Sequence, residues 1–228
     1  MIFQLFLLIF LLFIIFLTSK RFINQIYLLF LKVFKNKKAA VWGMAILFLP
    51  GTVVHELSHL MMALVLRVPT GPMSIWPKII GDSPAVGGTV PFRVKVGHIM
   101  VAKTSPFKLT LIGVAPMIVG LTIIYFVGFY TRGENFLFTP RVIIMIYILF
   151  VTSTSMFSSK QDLKSLLITL PVAILIMAAI YLSGVKIMIE GNLIDVLRKI
   201  LVDLNRSLIL TVGIDCAVLV ILVAIKKI

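Results

Sequence analysis

Apolar runs long enough to cross a lipid bilayer, separated by short basic clusters, dominate this sequence. The first, Met1–Thr18, holds Gln4 as its one interior polar residue. A membrane-spanning helix needs roughly 20 predominantly apolar residues. Runs of that order recur between Lys38 and Arg67 and at Leu109–Tyr130, Val142–Phe157, Leu163–Val185 and Ser207–Ile225. Apolar residues fill 61% of the 228 positions and charged residues 13%, against about 45–50% and 25% in ordinary soluble domains. A water-soluble globule of this size lacks the polar surface to cover such an interior. A soluble domain and a disordered chain are therefore excluded, and Cys216, the lone cysteine, excludes a disulfide scaffold.

The net charge of +14 comes from 22 Lys and Arg against 8 Asp and Glu. These basic residues mostly bracket the apolar runs, as residues at lipid headgroups do. No basic run sits on a soluble module, so the expected partner is the bilayer and not nucleic acid. The fold class predicted is an all-α polytopic membrane protein of about six transmembrane helices, with five as the alternative.

Three regions follow. Residues 1–38 read as an N-terminal anchor helix, not a cleaved leader, followed by an interfacial segment at Phe22–Phe34, where Asn24, Gln25 and Lys32 interrupt the apolar run. Residues 39–185 form a membrane core, in which Pro171 is expected to bend its helix. Residues 186–228 read as a surface helix over Ile187–Arg206 and a last span carrying Asp215. Within the core, residues 68–108 differ in character, with prolines at 69, 72, 77, 84 and 91, a Gly87-Gly88 turn, and Phe-Arg-Val-Lys-Val alternation at Phe92–Val96. Alternation at period two marks a strand, so a small β element at the membrane surface is expected after the second span.

The second span contains His55-Glu56-Leu57-Ser58-His59, an HExxH sequence. Four residues advance a helix by about 400°, which puts His55 and His59 on one face, a turn apart. Two imidazoles so placed share one zinc ion, with Glu56 beside it as general base. With three His and three Glu in the chain, chance produces this motif about 5 times in 10,000. Strongly polar residues at membrane depth cost about 2.5–3.5 kcal/mol each on insertion scales. A metal ion compensates that cost; the bland alternative is a structural polar cluster.

Catalytic zinc usually takes three protein ligands. Candidates for the third are His98, Glu134, Asp162, Glu190 and Asp215. Asp162 is the best placed, because a helix over Val142–Phe157 returns the chain to the side on which His55 and His59 lie. Its competing role is to favour the N-terminus of the following helix through the dipole. His98 falls in the strand region and is the alternative ligand; Asp215 has no basic partner near it in sequence.

The run Phe48-Leu49-Pro50-Gly51-Thr52-Val53-Val54-His55-Glu56-Leu57-Ser58-His59 resembles the zinc helix of the site-2 protease family of intramembrane metalloproteases. Leu111-Ile112-Gly113-Val114-Ala115-Pro116 resembles the small-residue-plus-proline motif of that family's next helix. Ser155-Met156-Phe157-Ser158-Ser159-Lys160-Gln161-Asp162-Leu163 stands at the place of its second ligand motif, but lacks that motif's Asn, Pro and Gly. The resemblance implies a zinc-dependent endopeptidase acting on transmembrane protein substrates, with metal ligands His55, His59 and Asp162 and Glu56 as catalytic base. It also implies a β element at the membrane surface after the zinc helix, whose exposed edge is expected to pair with an unwound substrate. With no recognisable soluble sensor domain of appreciable size in the sequence, a regulatory trigger is expected to act through a separate membrane partner or through prior trimming of the substrate. The alternatives are a non-catalytic membrane scaffold that retains a metal site, and a membrane gluzincin, which would need a Glu as third ligand.

Overall fold

The computed structural model describes residues 2–80, 93–95, 97–102, 104–131, 139–157 and 191–227, with isolated positions at 171, 175, 179 and 183. They form an all-α membrane protein with a small β element, in the order α1 (Ile2–Phe34), α2 (Lys37–Leu47), α3 (Leu49–Val65), β1 (Thr70–Ser74), β2 (Lys78–Ile80), β3 (Arg93–Lys95), β4 (His98–Val101), α4 (Pro106–Tyr130), α5 (Pro140–Ser155) and α6 (Gly191–Lys227). Helices α1, α4 and α6 are long and apolar enough to cross a bilayer, and α2 with α3 makes a fourth span if the bent pair counts as one. Helix α5 has 16 residues, about 24 Å by helical rise. The expected span Leu163–Val185 lies outside the described residues apart from isolated positions.

Three expectations about helix limits are corrected. Phe22–Phe34 is not a separate interfacial segment but the second half of α1, which runs unbroken for 33 residues, about 50 Å. Its buried face continues through Leu11, Ile15, Ser19, Phe22 and Ile26 at spacings of three and four, while Lys20, Arg21 and Asn24 lie on the exposed side. The polar residues therefore do not interrupt the packed stripe. Phe22 meets Phe150 of α5 edge-to-face at 5.1 Å between ring centroids.

Likewise Ile187–Arg206 and Ser207–Ile225 are not two helices: α6 is continuous for 37 residues. Leu193–Ile200 is exposed, and from Asp203 onward one face is buried, with Ser207, Leu208, Thr211 and Asp215 on it. Ser207 and Thr211 donate their hydroxyls to the carbonyls four residues back, the usual way a helix absorbs such groups away from water.

The second span is broken. Helices α2 and α3 meet at Phe48 with a 68° bend. Pro50 stands in the first turn of α3; it lacks an N–H and disfavours helical backbone just before it, so the break falls at this point. The Leu47 carbonyl at the break accepts the Tyr147 hydroxyl of α5 at 2.6 Å, as a carbonyl without water must find another donor.

The β element consists of two antiparallel pairs. Strand β1 pairs with β4 (Thr70 with Val101, Ser74 with His98) and β2 with β3 (Lys78 with Lys95, Ile80 with Arg93). Strand β3 falls within the alternating run Phe92–Val96; the Gly87-Gly88 turn lies outside the described residues. The element does not stay beyond the end of α3. Gly97 lies beside Thr52 and Glu56 and Val101 packs beside Ala63, Val68 and Ile112, so β4 runs along the helix.

Two of the three apolar clusters among the described residues pack α1 against the rest of the protein. Leu11 and Ile15 of α1 pack with Ile124 of α4, Leu149 of α5, Met156 and Leu208 of α6. Phe22 and Ile26 pack with Phe48, Phe150 and Val151. Large apolar residues on the other faces, such as Phe3, Phe6, Phe13, Ile118 and Val220, are exposed, the outward apolar surface that a bilayer requires.

Candidate metal centre

Helix α3 is inside out relative to a helix in water. Gly51, His55, Glu56, Ser58, His59 and Ala63 are buried, whereas Leu57, Met61, Leu64 and Val65 are exposed. Polar residues at membrane depth face the interior of the protein. Ser58 is accounted for locally, because its hydroxyl donates to the Val54 carbonyl at 2.6 Å. His55, Glu56 and His59 remain as the chemical groups of this face, each at most 6% exposed.

The two imidazoles converge. Their Nε2 atoms lie 3.3 Å apart, with ring centroids at 4.8 Å and planes at 88°. His59 Nδ1 stands 2.8 Å from the Ile112 carbonyl of α4. A carbonyl only accepts, so Nδ1 carries the proton and, in the neutral ring, Nε2 presents its lone pair. Two nitrogens bound about 2.0–2.1 Å from a tetrahedral zinc ion stand roughly 3.3–3.4 Å from each other. The separation and the tautomer therefore both fit a shared zinc ion. Anchoring the far nitrogen of a ligand histidine to a carbonyl is the usual outer support of such a site.

On another side, Gly97, just before β4, comes close to Glu56. Gly97 has φ +64°, the left-handed region that favours glycine. A Cβ on it would fall 2.6 Å from Glu56 Oε1 and 3.0 Å from Thr52 Cγ2. The conformation favours glycine at this position, and its backbone passes close to the Glu56 carboxylate.

Helix α5 packs against the start of α3. Tyr147 meets Leu47 at the end of α2, and further along α5 Val151 and Ser155 meet Gly51 of α3, where a Cβ would lie 2.6 Å from Val151 Cγ1 and 2.9 Å from Ser155 Oγ. Gly51 is one turn before His55. The last turn of α5 is polar and buried through Thr152, Ser153, Thr154 and Ser155. Thr154 and Ser155 bond to their own helix backbone, while Ser153 reaches Asp215 Oδ1 of α6 at 3.1 Å. Asp215 is thus partnered by α5.

Asp162, Glu134 and Glu190 lie outside the described residues. The backbone of His98 pairs with Ser74 in the β element, directly after Gly97. Among the described residues, no group of three or more His, Cys, Asp and Glu is gathered for a metal ion. Sequence reasoning does not single out Gly97 or the Ile112 carbonyl. A signal for each exists, namely an isolated glycine in a strand-forming stretch and a proline four residues after Ile112.

Comparison with protein-family models, curated proteins and solved structures finds no match to this chain.

Proposed function

We propose that this chain is a multi-pass zinc metalloprotease of the site-2 protease type, hydrolysing peptide bonds in or near the transmembrane segments of membrane-protein substrates. The observation that carries the reading is the pair of Nε2 atoms 3.3 Å apart on a buried helix face, next to a buried Glu56. His55 and His59 would hold zinc, with Asp162 as third ligand. In support of Asp162, α5 ends beside Gly51, one turn before His55, and Asp162 follows seven residues after Ser155, a separation the chain spans with reach to spare. The run Leu163–Val185 would add a further span.

Zinc bound there supplies a Lewis acid that brings the pKa of water toward about 7 and polarises a carbonyl. Glu56 takes the proton of the attacking water and delivers it to the leaving amine nitrogen. Gly97 lies close beside the carboxylate, and the Ile112 carbonyl accepts from the His59 ring. A substrate strand pairs with an edge of the β element beside α3. A separate membrane protein, or prior trimming of the substrate, supplies the regulatory trigger.

A second reading is a scaffold without catalysis. A separation of 3.3 Å also suits an Nε2–H···Nε2 hydrogen bond between the two rings. Cleavage of a transmembrane substrate by wild type and Glu56→Gln in detergent or liposomes distinguishes the two. The protease reading expects Glu56→Gln to keep its zinc and lose cleavage by about 100-fold or more; cleavage by that variant at the wild-type rate contradicts it.

A further inference from the structure

Helix α4 contains Pro116 in its interior. In an α-helix the carbonyl of residue 112 accepts from the N–H of residue 116, and proline has none. Its ring also crowds the carbonyl four residues back and turns it away from the ladder. Ile112, Gly113, Ala115 and Pro116 are all buried, so the released carbonyl meets no bulk water and needs a donor from the protein. That donor is His59 Nδ1, 2.8 Å away on the neighbouring helix.

We propose that Pro116 is a positioning residue for the metal centre. By leaving the Ile112 carbonyl without its helical donor, it creates the acceptor that fixes the tautomer and orientation of His59. Helix α4 thereby acts on the site through a backbone atom four residues from the proline. The metal-binding consequence rests on His59 being a zinc ligand; the tautomer consequence does not.

The test uses the full chain in detergent, stripped of metal, with histidines labelled with 15N. The chain has three histidines, so a His98→Gln sample and a His55→Gln sample assign His59. Wild type is expected to show His59 protonated at Nδ1 and bare at Nε2; the reverse tautomer overturns the proposal. Pro116→Ala restores an N–H to compete for the carbonyl. It is expected to populate both His59 tautomers and to weaken zinc binding by about 10–100-fold, as loss of an outer partner does.

Replacing residue 116 by lactic acid, which has an ester oxygen in place of N–H, keeps the helical donor missing but removes the ring. This ester variant is expected to keep the wild-type tautomer and affinity. If Pro116→Ala behaves as wild type, or if the ester variant fails as Pro116→Ala does, the proposal is overturned. Where Pro116→Ala does not fold, the wild-type spectrum and the ester variant still decide. A chain that binds no zinc yet shows the expected tautomers contradicts the protease reading and leaves the role of Pro116 at His59 standing.

Discussion

Gly97 lies so close to Glu56 that a single methyl group on it would fall 2.6 Å from the carboxylate Oε1. The contact joins a turn of the β element to the middle of α3, 41 residues earlier in the chain. It brings the β element up to the candidate site, beside the carboxylate proposed as the general base. Gly97→Ala is expected to lower cleavage at least about 10-fold, since small displacements of catalytic groups are costly, while zinc content stays at the wild-type level. Strain at φ +64° adds roughly 1–2 kcal/mol of destabilisation. Parallel assays of cleavage, zinc and thermal unfolding check this, and unchanged cleavage contradicts the assignment.

Gly51 sets the distance between α3 and α5. A Cβ there would meet Val151 Cγ1 at 2.6 Å, the Val151 carbonyl oxygen at 2.8 Å and Ser155 Oγ at 2.9 Å. One of these is backbone, so the helices must part. Gly51→Ala is expected to destabilise the protein by about 1–3 kcal/mol, the range for overpacking, and to weaken zinc binding if the chain after α5 carries the third ligand. Unfolding curves and zinc titrations of the same samples measure both effects.

At the break in the second span, Tyr147 donates to the Leu47 carbonyl. Tyr147→Phe leaves that carbonyl without this donor. The expected loss is about 0.5–1.5 kcal/mol, the net contribution of a half-buried hydrogen bond, with zinc stoichiometry unaltered. Thermal unfolding in detergent gives the first figure, and metal analysis the second.

Much of this architecture is visible in the sequence because the bilayer demands it. Apolar runs give the helices. The HExxH spacing, together with the cost of polar groups in lipid, turns His55, Glu56 and His59 toward the protein interior. The limits of α1 and α6 are hidden for a physical reason: Lys20, Arg21 and Asn24 occur where a boundary is expected but lie on the exposed side of a helix whose packed stripe continues. The bend at Phe48 has its signal in Pro50, which apolar content alone masks. The contacts of Glu56 with Gly97 and of His59 with Ile112 join positions 41 and 53 residues apart. Such pairings arise from tertiary packing and carry no local pattern.

The central claim is that His55 and His59 share one zinc ion. The most direct measurement is zinc per chain in protein purified in detergent without chelator, for wild type, His59→Ala and Asp162→Ala. About one zinc per chain is expected in wild type, with most of it lost in both variants. Wild type without metal, or His59→Ala with a full complement of zinc, contradicts the claim.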